Sequence, residues 1–131
     1  METLRWKTRI AVLWVFMVVA MSAHAVFATM EPGGFEKIAE EAAALTPGML
    51  AFMALLWWIP LVMAVLSVSL KDSANRWTNF ILGIIFTILN IVHLVEHLAE
   101  PSVHMILFIG STVIVTGLIA WYAWKWPEQE A

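Results

Sequence analysis

Four long hydrophobic stretches dominate the chain, and short polar segments separate them. They cover residues 10–29, 47–70, 77–98 and 101–124. A helix needs about 20 residues to cross a hydrocarbon layer roughly 30 Å thick, so each stretch is long enough. None shows the alternation typical of membrane β-barrel strands. The pattern therefore predicts an all-α fold, a four-transmembrane-helix bundle that forms a single membrane domain over residues 1–131.

A fifth, shorter helix is predicted between the first two stretches, over residues 35–45. Phe35, Ile38, Ala42 and Leu45 share one face of this segment, and charged residues occupy the rest of it. Amphipathic helices of this kind lie along a surface instead of crossing a membrane. We expect a short amphipathic outer helix on the bundle or membrane surface, where it serves as an ordered connector.

Basic residues predict the orientation. In a four-span arrangement six of the seven Lys and Arg residues fall on one side, and Lys37 alone lies opposite. These six are Arg5, Lys7, Arg9, Lys71, Arg76 and Lys125. Cytoplasmic loops carry such an excess, so we expect both termini to be cytoplasmic in a multi-pass protein of the cell (inner) membrane. The first stretch imitates a signal peptide, but it continues past Ala23-His24-Ala25 to Ala28 and is expected to stay uncleaved.

Composition narrows the class of protein further. The chain is 62% hydrophobic and 13% charged, which is more apolar surface than a soluble domain of 131 residues can bury. Its net charge of −3 and scattered basic residues give no support for a nucleic-acid partner. The absence of cysteine excludes disulfides and thiolate metal sites. The lipid bilayer is the expected partner.

Three short sequence segments resemble those of a known family. They are Leu13-Trp14-Val15-Phe16, Ala74-Asn75-Arg76-Trp77 with Asn79, and Trp121-Tyr122-Ala123-Trp124-Lys125-Trp126. With them the chain resembles, over nearly its whole length, a family of small prokaryotic four-helix integral membrane proteins classed as a domain of unknown function. The resemblance implies an architecture and no activity. It supplies no catalytic residue, and the family pattern does not include the histidines considered next.

The histidines form the most informative polar group, because all four fall towards the outer helix ends. Helical spacing puts His93, Glu96, His97 and Glu100 on one stripe, with His93 and His97 one turn, about 6 Å, apart. His24 lies at a similar depth on the first helix, and His104 follows the last outer turn. Imidazole pairs at this spacing suit a transition metal, so the candidate metal ligands are His24, His93, Glu96, His97, Glu100 and His104.

Other interpretations of the same residues stay open. His24 and His93 could hold a haem as axial ligands, or Met21, Met30 and His24 could offer soft ligands to copper. Residues 93–97 also fit the H-x-x-E-H spelling of inverted zinc peptidases, but without a second ligand segment or a catalytic domain. In the simplest alternative, these histidines and glutamates bind nothing. They lie at the hydrated membrane interface, where an ionisable side chain has a much smaller free-energy cost than at the bilayer centre.

Residues inside the spans suggest how the helices pack. Pro60 is expected to kink the second span beside Trp57 and Trp58, which favours either a curved helix or a pocket. Gly110 and Gly117 mark a small-residue seam for close packing, mainly within the bundle. Asn79 and Asn90 on the third span are expected to form hydrogen bonds between helices.

Three functional hypotheses follow. The first is a non-enzymatic bundle that assembles as a homo-oligomer or as a subunit of a larger membrane complex, because so small a bundle buries little surface. The second is a metal- or haem-binding redox membrane protein that uses the histidine and glutamate cluster. The third is a small-solute carrier, which would require a cavity through the membrane. Catalysis is not expected, since no nucleophile is paired with a base.

Overall fold

The computed structural model describes residues 2–126, with side chains from residue 4 onwards, and this part of the chain contains five helices and no strand. They are α1 (Glu2–Met30), α2 (Gly34–Ala43), α3 (Pro47–Ser69), α4 (Asp72–His97) and α5 (Val103–Trp124). All except α2 are long and apolar enough to cross a membrane. The all-α class and the four candidate spans are thereby confirmed.

Helix bounds differ from the hydrophobic stretches mainly at the ends that carry charge. α1 begins at Glu2 and α4 at Asp72, several residues before the predicted starts. Charged residues such as Arg and Lys are good helix formers, so a helix continues where hydrophobicity has ended. The start of α3 is conventional, with Thr46 as N-cap accepting a hydrogen bond from the Met49 amide at 3.2 Å and Pro47 in the first turn.

The first helix organises the bundle. α1 packs against α3 on one side and α5 on the other, and α4 packs against α5, whereas α3 and α4 meet only marginally. The resulting core contains Ile10, Trp14, Met17, Met63, Phe86, Val115, Ile119, Ala123 and Trp126. Large apolar side chains elsewhere on the four long helices are exposed, among them Val65 at 63% and Ile114 at 65%. Such an exterior suits a hydrocarbon solvent.

A buried polar network joins three helices within this core. Asn79 is fully buried, and its side-chain oxygen accepts hydrogen bonds from Trp14 Nε1 at 2.7 Å and Ser67 Oγ at 3.1 Å. Its amide nitrogen donates to Asn75, whose own amide donates to the Ser67 carbonyl at 2.7 Å. The expected interhelical role of Asn79 is confirmed. Because every link pairs a buried donor with a buried acceptor, this network fixes the relative depth of α1, α3 and α4.

Close packing between α4 and α5 occurs at a glycine that the sequence did not single out. A Cβ on Gly83 would lie 2.8 Å from the Ala120 backbone nitrogen. A Cβ on Gly110 or Gly117 would instead meet nothing within 4 Å. The expected close packing is therefore not found at Gly110 and Gly117 themselves, whereas the nearby small residues Thr112 and Thr116 are buried and Ala120 forms the contact with Gly83.

Both termini of the described chain lie at one end of the bundle, which we call the basic end. There Lys7 forms an ion pair with Asp72 at 3.1 Å and donates to the Leu70 carbonyl at 2.9 Å. Arg76 donates to the carbonyls of Ala123 and Trp124, at 3.2 and 3.3 Å. The opposite end, which we call the histidine end, contains the C-terminus of α1, all of α2 and the turn between α4 and α5.

A glycine pair sets the position of α2 at the histidine end. Gly33 has a left-handed backbone with φ of +74°, which glycine adopts at little cost. A Cβ on Gly34 would lie 2.2 Å from the Ala28 carbonyl oxygen, so only glycine lets α2 begin this close to α1. The helix predicted over residues 35–45 is present as Gly34–Ala43.

Candidate metal centre

The three histidines from the long helices converge at the histidine end. His24 from α1 and His93 and His97 from α4 each offer a ligand atom, and these atoms all lie within 4.8 Å of one another. Ring centroids are 5.5 Å apart for His24 and His93, 5.4 Å for His24 and His97, and 4.4 Å for His93 and His97. The i, i+4 spacing on α4 and the packing of α1 in the same bundle produce this cluster.

The hydrogen bonds within the cluster leave nitrogen atoms of His97 and His24 free to bind a metal. His97 Nδ1 lies 3.0 Å from the His93 carbonyl oxygen, and since a carbonyl only accepts, the proton is on Nδ1 and Nε2 keeps its lone pair. His24 is 9% exposed, and its Nδ1 is buried without a hydrogen-bond partner among the described residues. Buried polar atoms normally have partners, so this unpaired nitrogen calls for an explanation.

A fourth histidine borders the cluster from α5. The His104 ring lies 5.9 Å from the His24 ring, and its Nε2 donates a hydrogen bond to the Glu31 carboxylate. His104 Nδ1 is buried and, within residues 4–126, has no partner. The hydrogen bonds that Glu31 accepts from His104 and Ser102 lower the pKa of its carboxyl group. Metal-binding histidines commonly donate their other ring N–H to a carboxylate, which fixes the orientation of the ring.

The two glutamates proposed from the sequence lie apart from the three-histidine group. Glu96 is exposed and lines a neighbouring apolar cavity together with His93. Glu100 pairs with Lys37 of α2 at 3.2 Å, and this exposed hydrogen-bonded ion pair raises the pKa of Lys37. Of the six candidate ligands, the structure thus brings together His24, His93 and His97 and places His104 beside them. Glu100 pairs with Lys37 instead, and Glu96 is outside the three-histidine group.

Glu31 is the residue that sequence reasoning missed. It follows His24 by seven residues, which is nearly two helical turns and therefore the same helix face. The first hydrophobic stretch ends at residue 29, before Glu31, whereas α1 extends to Met30 and Glu31 directly follows it. Continuing the helical periodicity by one further turn would have placed this carboxylate below His24.

A single metal ion fits the cluster better than the other cofactors considered. In a tetrahedral zinc site with Zn–N distances of 2.0–2.1 Å, the ligand nitrogens lie about 3.3–3.4 Å from one another. The three histidine nitrogens lie within 4.8 Å of one another, and small rotamer changes would bring them to that distance. A haem instead needs two axial histidines facing each other across a flat macrocycle. The His24 and His93 rings are inclined at 75°, and the His97 ring lies beside both, so the three rings surround one point.

The methionines suggested as copper ligands are not part of this arrangement. Met30 is 69% exposed, and Met21 lines the apolar cavity. Neither lines the cavity that contains His24. The donor set that remains consists of imidazoles, which zinc, copper, iron and nickel all accept.

Two cavities flank the cluster. The polar cavity, about 360 Å³ in volume, is lined by His24, Glu31, Lys37, His97, Glu100 and His104 and lies beneath α2. The apolar cavity, about 270 Å³, lies between α1, α3 and α4 and is lined by His93 and Glu96 at one end. The histidine cluster therefore separates a charged space from an apolar one.

Fold and site together define a bundle of four long helices, each apolar enough to cross a membrane, with a histidine cluster at one end. The chain belongs to the family of unknown function DUF6326, whose model matches residues 2–131. The family match confirms the resemblance that was inferred from the three short sequence segments. No curated protein and no solved structure matches the chain.

Proposed function

We propose that this protein is an integral membrane protein that binds one first-row transition-metal ion through His24, His93 and His97. The observation that carries the proposal is the approach of their three ligand atoms to within 4.8 Å of one another, with His24 buried and His93 and His97 half-buried. Neutral imidazoles packed together without a shared cation would leave lone pairs unsatisfied in a low-dielectric setting. A divalent ion would satisfy them together.

His104 is the proposed fourth ligand, through its buried Nδ1. The hydrogen bond from His104 Nε2 to Glu31 leaves the lone pair on Nδ1 and holds the ring in place. Four nitrogen ligands would give a closed site of the structural type, whereas three and a water would leave an open position for chemistry or transfer. The 5.9 Å distance between the His104 and His24 rings supports the closed form after a small inward shift.

The metal would reach the site from the polar cavity. Its acidic lining, Glu31, Glu41 and Glu100, attracts cations, and α2 with Lys37 lies over it. Under the positive-inside rule the basic end is cytoplasmic, so this cavity faces the outer side of the cell membrane and α2 rests on the outer surface. The proposed role is thus to capture a metal ion from the outer side and hold it at the membrane boundary.

Metal analysis of purified protein tests the proposal. Protein purified in mild detergent from zinc-supplemented cells is expected to retain about one equivalent of metal per chain by mass spectrometric elemental analysis. Apo protein titrated with Co²⁺ should develop the visible absorption of four-coordinate cobalt. His24→Ala and His97→Ala should lose both signals while keeping the helical circular dichroism of the wild type.

Glu36→Gln on the exposed side of α2 is the matched control and should bind like the wild type. Substoichiometric metal in the wild type, or unchanged binding in both histidine variants, would refute the proposal. A Soret band in the wild type would refute it too, in favour of the haem interpretation.

Self-association is a separate proposal that concerns assembly. The side of α5 where a Cβ on Gly110 or Gly117 would meet nothing within 4 Å offers a surface on which a second helix could approach closely. A homo-oligomer or a larger membrane complex would use this surface without altering the metal site.

A further inference from the structure

The apolar cavity has the composition of a small-molecule site. It is walled by Met17 of α1, Met53 and Trp57 of α3 and Phe86 of α4. Its volume of about 270 Å³ is close to the lower end of the range typical of ligand pockets. Aromatic faces and polarisable methionine side chains favour a flat ring among them.

One polar atom that faces the cavity accepts no hydrogen bond from the described part of the chain. Asn90 is 4% exposed, and it donates hydrogen bonds through Nδ2 to the Thr112 carbonyl and to Thr116 Oγ1, both at 3.4 Å. The Thr112 carbonyl accepts only, so it fixes which end of the amide is nitrogen. Within the described chain the Asn90 oxygen accepts no hydrogen bond, and Asn90 lines the cavity. An occupant that donates a hydrogen bond would satisfy it.

The cavity also has an approach from the bilayer. Met53 is 40% exposed and Val92 is 49% exposed, and both line it on the side where α3 and α4 meet only marginally. In a membrane that side faces hydrocarbon, so an occupant would arrive dissolved in lipid. His93 and Glu96 supply polar groups at the far end.

We propose that the apolar cavity binds a lipid-soluble ring compound with a hydroxyl group, of the phenol or quinol class. Its ring lies between the Trp57 and Phe86 side chains, and its hydroxyl donates to the Asn90 oxygen. The site is separate from the metal centre, although His93 borders both. A hydrocarbon chain of an ordinary lipid would fill the same space but leave the Asn90 oxygen unpaired.

A matched pair of probes tests this inference. Durenol (tetramethylphenol) and durene share one methylated ring and differ by the hydroxyl group. In equilibrium dialysis against detergent micelles, with empty micelles as reference, we expect saturable binding of one durenol per chain. Durene should bind about fivefold to tenfold more weakly, as loss of one hydrogen bond implies. Metal-free and zinc-loaded protein should both bind durenol, which separates this result from that of the metal experiment.

Two tryptophan substitutions on α3 provide the site control. Met53→Trp fills the cavity and should weaken durenol binding at least tenfold, whereas Met49→Trp, one turn away, exposed and outside the cavity, should leave it unchanged. Asn90→Leu should remove the preference for durenol over durene. Equal affinity for the two probes in the wild type, uptake no greater than that of empty micelles, or undiminished binding by Met53→Trp would overturn the inference.

Discussion

The Glu31 carboxylate and the His104 imidazole form a hydrogen-bonded pair. Glu31 fixes which nitrogen of His104 keeps its lone pair, and His104 favours the ionised form of Glu31. The hydrogen bond to Glu31 leaves the free lone pair of His104 on Nδ1, on the buried side of the ring. In return, His104 and Ser102 stabilise the ionised form of Glu31. Neither effect requires a metal, so this pair can be tested in the apo protein.

Glu31 is expected to titrate below the ordinary glutamate pKa of 4.5 because His104 and Ser102 donate hydrogen bonds to the carboxylate. A lowered pKa in the folded state means that Glu31 contributes stability above pH 4.5 and loses it as the pH falls through the lowered value. The carboxyl carbon chemical shift of labelled glutamate, assigned with Glu31→Gln, measures this pKa. His104→Ala should return it towards 4.5. An identical titration in that variant would contradict the assignment.

Residue-level prediction from sequence was successful where helical geometry alone decided the outcome. The spacing of His93 and His97 on α4, with the matching depth of His24 on α1, was sufficient to predict their convergence. The sequence could not show that Glu100 turns to Lys37, because that contact depends on where α2 lies. Three-dimensional packing, and not residue type, decides which carboxylate lies next to the histidines.

Among the helices, length and hydrophobicity predicted four long elements, but contacts between them were harder to predict. Two glycines on α5 were the obvious candidates for a tight contact, yet the close approach occurs at Gly83 on α4 against Ala120. Small residues permit close packing on any face, and the sequence does not state which face turns inward. The polar positions Asn75, Asn79 and Asn90, buried on α4, mark its inner face more reliably.

Gly83→Ala is expected to destabilise the bundle by about 1–3 kcal/mol, because the added methyl group would overlap the backbone of α5. Gly117→Ala adds the same group where nothing lies within 4 Å and should be neutral or stabilising by up to about 1 kcal/mol. Unfolding in mixed micelles with increasing dodecyl sulfate, followed by circular dichroism, measures both. Equal losses in the two variants would show that α4 and α5 do not pack through Gly83.

At the level of the whole molecule, the charge distribution and the fold agree on two distinct ends. Lys7 pairs with Asp72, and Arg76 binds the C-terminal carbonyls of α5, at the basic end, while the histidines and α2 lie at the other. An even number of long helices places the two ends of the described chain together. The assignment of these ends to the two sides of a membrane rests on the positive-inside rule.

Cysteine labelling tests that assignment directly, because the chain has no cysteine of its own. Glu40→Cys on α2 should react with a membrane-impermeant maleimide in intact cells or spheroplasts. Lys71→Cys, in the turn before α4, should react only after permeabilisation. Both positions are exposed, so access to solvent is matched. The reverse labelling pattern would invert the orientation and place the polar cavity on the cytoplasmic side.

The marginal contact between α3 and α4 has a consequence for how the apolar cavity exchanges its contents. Since α3 is held chiefly by α1, and is tied to α4 by Ser67 near its C-terminal end, a small tilt of the rest of α3 would widen a sideways gap between α3 and α4. Occupancy would then follow the mole fraction of a compound among the lipids and not its concentration in water. A longer alkyl tail, which lowers aqueous solubility, would raise occupancy at the same total dose.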